Sequence, residues 1–238
     1  MNTTSFNFYG TRRKFYLPFL LLAGTILFSS FAAAQDGAPV PQFKQAIEVN
    51  PLRLFDGSFQ LSYDRKISDN WSLLFSGIGT YASEGGYGGN YLKSQEDNLA
   101  FYDNSGNWYS PSLITGFGAT IQARNYLYTW SQLPAGLYAA PYLMYRKVWI
   151  TNTTSYWNEG TLMQDDKIKN LDVFSGGVLL GGRIGVFKNI YSIDFNFGAG
   201  LRLAKYTDEK NFTRFKRWTS LDYSGVLPTA GISIGILK

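Results

Sequence analysis

The sixteen-residue stretch IYSIDFNFGAGLRLAK, residues 190–205, decides the fold of this chain. Every second residue from Tyr191 to Leu203 is apolar, whereas the residues between them are small or polar and include Asp194 and Arg202. A period of two predicts a β-strand with one apolar and one polar face. The stretch exceeds the usual strand length of about 5–6 residues in soluble proteins. It is long enough to cross a membrane, for which a tilted strand needs about 9–11 residues.

Seven more segments show this alternation, completely or in part, and raise the predicted number of strands to eight. They span residues 46–54, 58–67, 71–82, 113–125, 136–150, 173–186 and 226–236. No helix long enough to matter is expected. Long polar stretches at 83–110, 152–171 and 206–224 alternate with shorter connections, so all three should lie on one side. Long loops on one side and short turns on the other are typical of outer-membrane barrels.

The predicted fold is therefore all-β, an eight-stranded antiparallel up-and-down transmembrane β-barrel. Its apolar face would contact lipid, and the closed ring would leave no strand edge unpaired in the bilayer. Side chains about fill the interior of such a barrel, so no wide pore is expected. The alternative is a secreted soluble barrel that buries its apolar face and binds a lipophilic ligand. Aromatic residues near the predicted strand ends favour the membrane interpretation, because such rings suit the lipid–water interface. These are Trp71, Tyr81, Tyr126, Tyr128, Trp130, Tyr138, Tyr142, Trp149 and Tyr191.

The first residues have the pattern of an export signal. Arg12, Arg13 and Lys14 precede an apolar stretch at residues 15–31, and the AAA sequence at 32–34 offers a cleavage site before Gln35. This order of features predicts a signal peptide over 1–34, followed by a linker over 35–45 and the barrel over 46–238. The alternative is a transmembrane anchor, because the apolar stretch approaches the length of about 20 residues that spans a bilayer. With a cleaved signal, the expected location is the outer membrane.

The composition excludes several kinds of chemistry. The 238 residues contain no histidine and no cysteine, which excludes disulfides, thiolate and imidazole metal sites, and histidine-dependent nucleophilic catalysis. We therefore expect no enzymatic activity, no metal and no cofactor, although an outer-membrane enzyme that modifies lipid remains an alternative. The net charge of +5 also falls once residues 1–34 are removed, leaving 19 Lys+Arg against 17 Asp+Glu. That balance gives no support for a nucleic-acid partner.

Six charged residues within the predicted strands are candidates for the barrel lumen: Asp64, Arg124, Arg146, Arg183, Asp194 and Arg202. Because buried charges must be paired to be tolerated, we interpret them as a salt-bridge network that stiffens the barrel. The alternative is a gate or a narrow ion path.

The polar stretch 83–110 is rich in aromatic residues and glycine, a composition that suits a contact surface for a sugar or a protein. The candidate residues are Tyr87, Tyr91, Trp108 and Tyr109, although the rings of the loop could also pack against one another. Basic residues in the last long loop could contact lipopolysaccharide phosphates. These are Lys210, Arg214, Lys216 and Arg217.

Two hairpins resemble a known group of proteins. The sequences ARNYL (123–127) and PAGLYAAPYLMYR (134–146) resemble a recurrent hairpin of small, largely uncharacterised outer-membrane β-barrel proteins of Gram-negative bacteria, and residues 176–202 resemble the next hairpin. The resemblance implies an eight-stranded barrel without an established activity. Its partners would be outer-membrane lipid, lipopolysaccharide, the outer-membrane assembly machinery and an extracellular ligand held by the long loops. Many such barrels end in an aromatic residue, whereas this sequence ends in GILK.

Overall fold

The computed structural model describes residues 44–129, 135–159, 161–187, 190–213 and 217–238. The predicted signal peptide (1–34) and nearly all of the predicted linker (35–45) lie outside these ranges, as do Trp130 and the turn at 188–189. Within the described ranges, no helix is both long enough and apolar enough to cross a bilayer.

Eight strands form a closed antiparallel ring in the order β1-β2-β3-β5-β6-β7-β8-β9, and β9 pairs back onto β1. The closing pairs run from Ala46 opposite Leu237 to Val49 opposite Ile234. A two-residue strand, β4, pairs with β5 outside the ring. The all-β class and the eight-stranded antiparallel ring are thus confirmed. The strands are β1 (Gln45–Val49), β2 (Ser58–Lys66), β3 (Trp71–Ser83), β4 (Phe101–Tyr102), β5 (Trp108–Thr129), β6 (Gly136–Asn158), β7 (Thr161–Val186), β8 (Tyr191–Tyr206) and β9 (Gly225–Leu237).

The first strand is shorter than the predicted segment 46–54. Pro51 begins a 3₁₀ helix over Pro51–Asp56, and the Asn50 side chain caps it by accepting a hydrogen bond from the Leu52 N–H at 3.0 Å. Proline cannot donate to a strand ladder but suits the first turn of a helix. The strand therefore ends at Val49.

The apolar face of the ring points outward and the polar face points inward. On β8, Phe197 and Leu201 are 64% and 63% exposed, whereas the inward-facing Ser192 and Asp194 are fully buried. The same inversion holds on β2, where Phe59 and Leu61 are exposed while Ser58 and Asp64 are buried. A soluble barrel would show the opposite arrangement, because its apolar side chains fill the interior.

The two ends of the barrel differ, and we call them the turn end and the loop end. The turn end carries the connections β2–β3, β5–β6 and β7–β8, and the loop end carries the long segments between β3 and β5 and between β8 and β9. The prediction of a loop over 152–171 is wrong, because β6 and β7 continue as a paired ribbon up to Asn158 opposite Thr161. β5 pairs with β6 only as far as Thr153, and residues 155–158 and 161–166 of the ribbon are exposed on both faces. Polar and apolar residues are mixed on both faces there, so the sequence shows no period of two.

The expectation of no significant helix is also wrong. Helix α1 spans Gly89–Leu99 and buries Leu92, Gln95 and Leu99, which recur at helical spacing along one face. Gly88 precedes it with a φ of 74°, a conformation that glycine adopts without strain. A side chain at position 88 would also meet the Cβ of Ala82 at 2.7 Å. Glycine therefore allows α1 to approach β3 closely.

Helix α1 covers the loop end of the barrel interior. Leu92 and Leu99 pack among inward-facing apolar residues of the ring and against Leu221 of the β8–β9 segment. Gln95 joins the helix to that segment, since its amide accepts from the Leu221 N–H at 2.8 Å and donates to the Thr219 carbonyl at 3.3 Å. We call this assembly the apolar cap. Its ring residues are Ala82, Ile114, Val148, Ile150, Leu171, Val173, Ala204 and Tyr206.

We expect Leu92→Ala to loosen the apolar cap while leaving the ring closed. Truncating a buried leucine costs about 2–5 kcal/mol, and the loss falls on a segment held by few other apolar contacts. Proteolysis within residues 84–107 should accelerate, whereas the unfolding midpoint of the barrel should change little. Lys93→Ala, an exposed position of the same helix, is the control. Equal cleavage rates in the two variants would contradict this role of Leu92.

Candidate functional site

Five charged side chains from five strands meet in the lumen near the turn end. Each faces inward because of the alternation of its strand, and each is at most 1% exposed. We call them the charge cluster: Glu48 of β1, Asp64 of β2, Arg124 of β5, Arg183 of β7 and Asp194 of β8.

Two guanidinium groups hold three carboxylates together across the lumen. The Arg124 Nη1 atom lies 3.1 Å from Asp64 Oδ2 and 3.0 Å from Asp194 Oδ2. Arg183 Nη2 lies 2.5 Å from Asp64 Oδ2 and also donates to Glu48, while its Nε lies 3.4 Å from Asp194 Oδ2. Asp64 and Asp194 are thus each bridged by both arginines. Except for Arg183–Asp194, which joins the paired strands β7 and β8, these contacts connect strands that are not neighbours in the ring.

Tyrosine side chains enclose the charge cluster. The Tyr138 hydroxyl donates to Asp194 Oδ1 at 2.7 Å, and the Arg124 guanidinium lies 4.7 Å from the centre of the Tyr138 ring. Tyr126 meets Tyr138 edge to face at 5.6 Å. Gly181 makes room for this ring, because a side chain there would collide with it. Tyr126, Tyr138 and Tyr142 therefore face the lumen, so their predicted place at the membrane interface is wrong.

The structure brings together only some of the predicted lumen residues. Asp64, Arg124, Arg183 and Asp194 belong to the charge cluster, whereas Arg146 and Arg202 face inward nearer the loop end. Arg146 donates to the hydroxyls of Ser58 and Thr80, both at 2.6 Å. Glu48 was missed by sequence reasoning. Its only signal was the short alternation of residues 45–49, which Pro51 interrupts.

Polar side chains line the lumen above the charge cluster. They surround a cavity of about 40 Å³, which has room for roughly three water molecules. Amide and hydroxyl groups of Gln60, Gln122, Asn196, Thr120 and Thr229 contribute to the lining. Among the residues that the structure describes, no group of three or more acidic side chains is arranged to hold a metal ion.

The predicted external contact residues divide into exposed and buried members. Tyr87 and Trp108 are 47% and 44% exposed, and Trp108 packs on the exposed Tyr102 with ring centres 4.7 Å apart. Tyr109 is only 1% exposed, since its ring stacks on Phe101. The prediction that Tyr109 belongs to an exposed contact surface is therefore wrong. Tyr91 is also turned inward and packs against the apolar cap.

A salt bridge fastens the β4–β5 turn to the β6–β7 ribbon. Lys167 Nζ lies 2.9 Å from Asp103 Oδ2, and the backbone N–H groups of Ser105 and Asn107 donate to Asp103 Oδ1, both at 2.9 Å. The hydrogen bond from Lys167 and the two backbone donors lower the pKa of Asp103 to about 2. Lys167 also lies 4.2 Å from the centre of the Tyr109 ring. These contacts explain why Tyr109 is covered.

The predicted basic patch of the last loop is described only in part. Arg217 Nη1 lies 3.3 Å from Asp97 Oδ2 on α1, and Lys210 is exposed. Arg214 and Lys216 lie outside the described residues. Contact with lipopolysaccharide therefore stays a prediction.

No protein-family model, curated protein or solved structure matches the chain. The resemblance to small outer-membrane barrels accordingly stays a prediction. The site must be interpreted from its own geometry.

We expect Arg183→Gln to destabilise the barrel by about 3–5 kcal/mol, because it leaves buried carboxylates without their counter-charge. Unfolding in urea, with the protein in detergent micelles, measures the loss. Arg217→Gln is the matched control, since an exposed ion pair contributes only about 0–1 kcal/mol. Unchanged stability together with a sharp rise in ion conductance would contradict the structural interpretation and favour a gate.

The Asp103 contact should persist in acid. Because the folded-state pKa is lowered from 3.8 to about 2, its contribution is present above pH 3.8 and is lost as the pH falls through about 2. Trp108 fluorescence should therefore report a transition near pH 2. Asp103→Asn should abolish this transition. A transition near pH 4 in the unsubstituted protein would show that the bond to Lys167 does not form in solution.

Proposed function

We propose that this protein is an integral outer-membrane β-barrel with a structural or surface-interaction role. One observation carries the proposal: a closed ring of eight strands turns large apolar side chains outward and buries five charges inside. Water-soluble proteins rarely expose a continuous apolar surface beyond a few hundred Å². In a bilayer the same arrangement is favourable, since lipid covers the apolar face and the ring pairs its backbone groups internally.

Charged residues mark one edge of this apolar belt. Lys147, Asp172 and Lys205 face outward and lie opposite one another in register across β6, β7 and β8. From Tyr191 to Leu203, the belt on β8 extends about 40 Å along the strand, at about 3.3 Å per residue. A tilt of about 40° reduces this to about 30 Å along the barrel axis, which suits a bilayer core of about 30 Å.

The interior supports a role without a wide pore and without catalysis. Arg124 and Arg183 reach across the lumen to strands on its far side, so their side chains obstruct passage at that level. Each carboxylate of the cluster is paired with at least one guanidinium. A soluble carrier of a lipophilic ligand would need an apolar interior, which the charge cluster disfavours. A lipid-modifying enzyme is the remaining alternative, and no observation favours it.

The loop end is the part we propose for contact with an extracellular ligand. The tip of the β6–β7 ribbon exposes Tyr156, Trp157, Leu162 and Met163, and Tyr102 and Trp108 form a second exposed pair. Exposed aromatic residues held on rigid strands are typical of binding surfaces. Lipid and lipopolysaccharide would surround the belt, and insertion would require the outer-membrane assembly machinery.

Leu143→Arg tests membrane insertion, because Leu143 is outward-facing and 66% exposed. In a bilayer, arginine at the midplane of a barrel costs about 2–4 kcal/mol. On a soluble surface the same change stays within about 0.5 kcal/mol. We therefore expect less protein in the outer-membrane fraction and loss of the gel-mobility shift between unboiled and boiled samples.

Ser155→Arg is the control, because Ser155 is exposed on the same strand beyond the charged edge of the belt. It should leave both readouts unchanged. If the unsubstituted protein is found in the soluble fraction and shows no mobility shift, the proposed location is wrong.

A further inference from the structure

A second set of polar side chains lies in the lumen between the charge cluster and the apolar cap. Arg146 of β6 and Arg202 of β8 are 3% and 9% exposed, and Ser175 of β7 lies between their strands. Ser175 is directly opposite Arg202 on β8. Arg146 on β6 is opposite Val173, which lies two residues before Ser175 on β7. The three side chains therefore face the same part of the lumen.

These two arginines lack a counter-charge, unlike the arginines of the charge cluster. In the described part of the chain, no carboxylate lies within 4.0 Å of either guanidinium, whereas the cluster has three carboxylates for two arginines. Arg146 donates to hydroxyls, and Arg202 reaches the Ser220 carbonyl at 3.5 Å.

Two donors in this region have no acceptor among the described residues. The Nε of Arg202 and the hydroxyl of Ser175 are buried without a hydrogen-bond partner. A buried donor without a partner is costly, and a buried charge without a counter-charge more so. The arrangement is therefore that of a site whose acceptor is an anion.

Tyr91 adds a donor from above. It lies on α1, and its ring is next to Gly57, where a side chain would meet it at 3.6 Å; the neighbouring Ser58 accepts a hydrogen bond from Arg146. Burial raises the pKa of Tyr91, so its hydroxyl is neutral and able to donate near pH 7. Asp222, the nearest acid to Arg202 in the last loop, is instead occupied by Tyr206, whose hydroxyl lies 2.9 Å from it, and by Ser220.

We propose that Arg146 and Arg202, with Ser175 and Tyr91, bind a small phosphate-like oxyanion inside the lumen beneath α1. The planar guanidinium fork matches the oxygen spacing of such anions, and a charge-assisted hydrogen bond is stronger than a neutral one. We expect a free anion and not a lipid headgroup, because Leu92 and Leu99 of α1 and Leu221 pack over this end of the lumen. The proposal does not depend on membrane insertion, since every group involved is inside the ring.

The test is titration of the full chain, folded in detergent micelles, with inorganic phosphate at constant ionic strength held by sodium chloride. We expect saturable binding by calorimetry and a rise in the unfolding temperature, because a ligand that binds only the folded state stabilises it. Arg202→Gln and Arg146→Gln should each weaken binding by about tenfold or more. Arg217→Gln, an exposed arginine, is the matched control and should bind as the unsubstituted protein does.

Two further arms separate the possible results. Tyr91→Phe removes one hydroxyl without removing a charge, so this variant should fold normally and bind phosphate several-fold more weakly. It replaces an arginine variant in the test if that variant fails to fold. Micelles that contain a phosphorylated lipid in place of free phosphate should give no shift. The proposal is overturned by the absence of saturable phosphate binding, by equal stabilisation with chloride alone, or by binding that all three lumen variants retain.

Discussion

The closed ring depends on the neutralisation of charges that its own alternation forces inward. Asp194 and Arg183 face each other in register on β8 and β7, so the strand pairing that turns Phe195 and Phe197 outward also buries both charges. An uncompensated charge in a low-dielectric interior costs several kcal/mol. The charge cluster removes this cost by joining β1, β2, β5, β7 and β8 across the lumen. A slip of one residue in any of these strands would break the contacts, so the cluster also specifies register.

The inside of the barrel is layered along its axis. Charges occupy the turn end, neutral polar groups occupy the middle, and an apolar core formed with α1 occupies the loop end. Salt bridges hold the layer at the turn end, hydrogen bonds hold the middle layer, and apolar packing holds the layer at the loop end. The middle layer contacts the other two. Arg146 and Arg202 lie where the polar layer meets the apolar cap, which is why their charges lack partners that the turn end supplies to Arg124 and Arg183. The long segment between β3 and β5 therefore completes the core of the barrel.

The sequence predicts the ring well where one face is uniformly apolar. In β8 every outward position from Tyr191 to Leu203 is apolar, and the observed strand begins and ends within one residue of the predicted segment. Prediction fails where neither face is uniform. The ribbon beyond Thr153 carries polar residues on both faces, and α1 has only three buried positions among polar neighbours. Tyr126 and Tyr138 look like interfacial aromatics, yet they are buried around Asp194, since the partner that decides their direction is distant in sequence. Glu48 was missed because β1 is only five residues long, too short for its alternation to show which face is polar.

The two ends of the barrel are held by different interactions: buried charges join the strands at the turn end, and strand pairing supports the extensions at the loop end. The β6–β7 ribbon extends the hydrogen-bonded ladder of the ring by continuous pairing, so its tip is held by the same strands that carry Arg146 and Arg183. Lys167 on the ribbon donates a hydrogen bond to Asp103, and Gln95 of α1 accepts one from Leu221 in the β8–β9 segment. The extensions of β5, β7 and β8 are therefore joined to one another. Surfaces built on such supports lose little conformational entropy on binding. The described part of the loop end is thus held in place by strand pairing and by contacts between its segments.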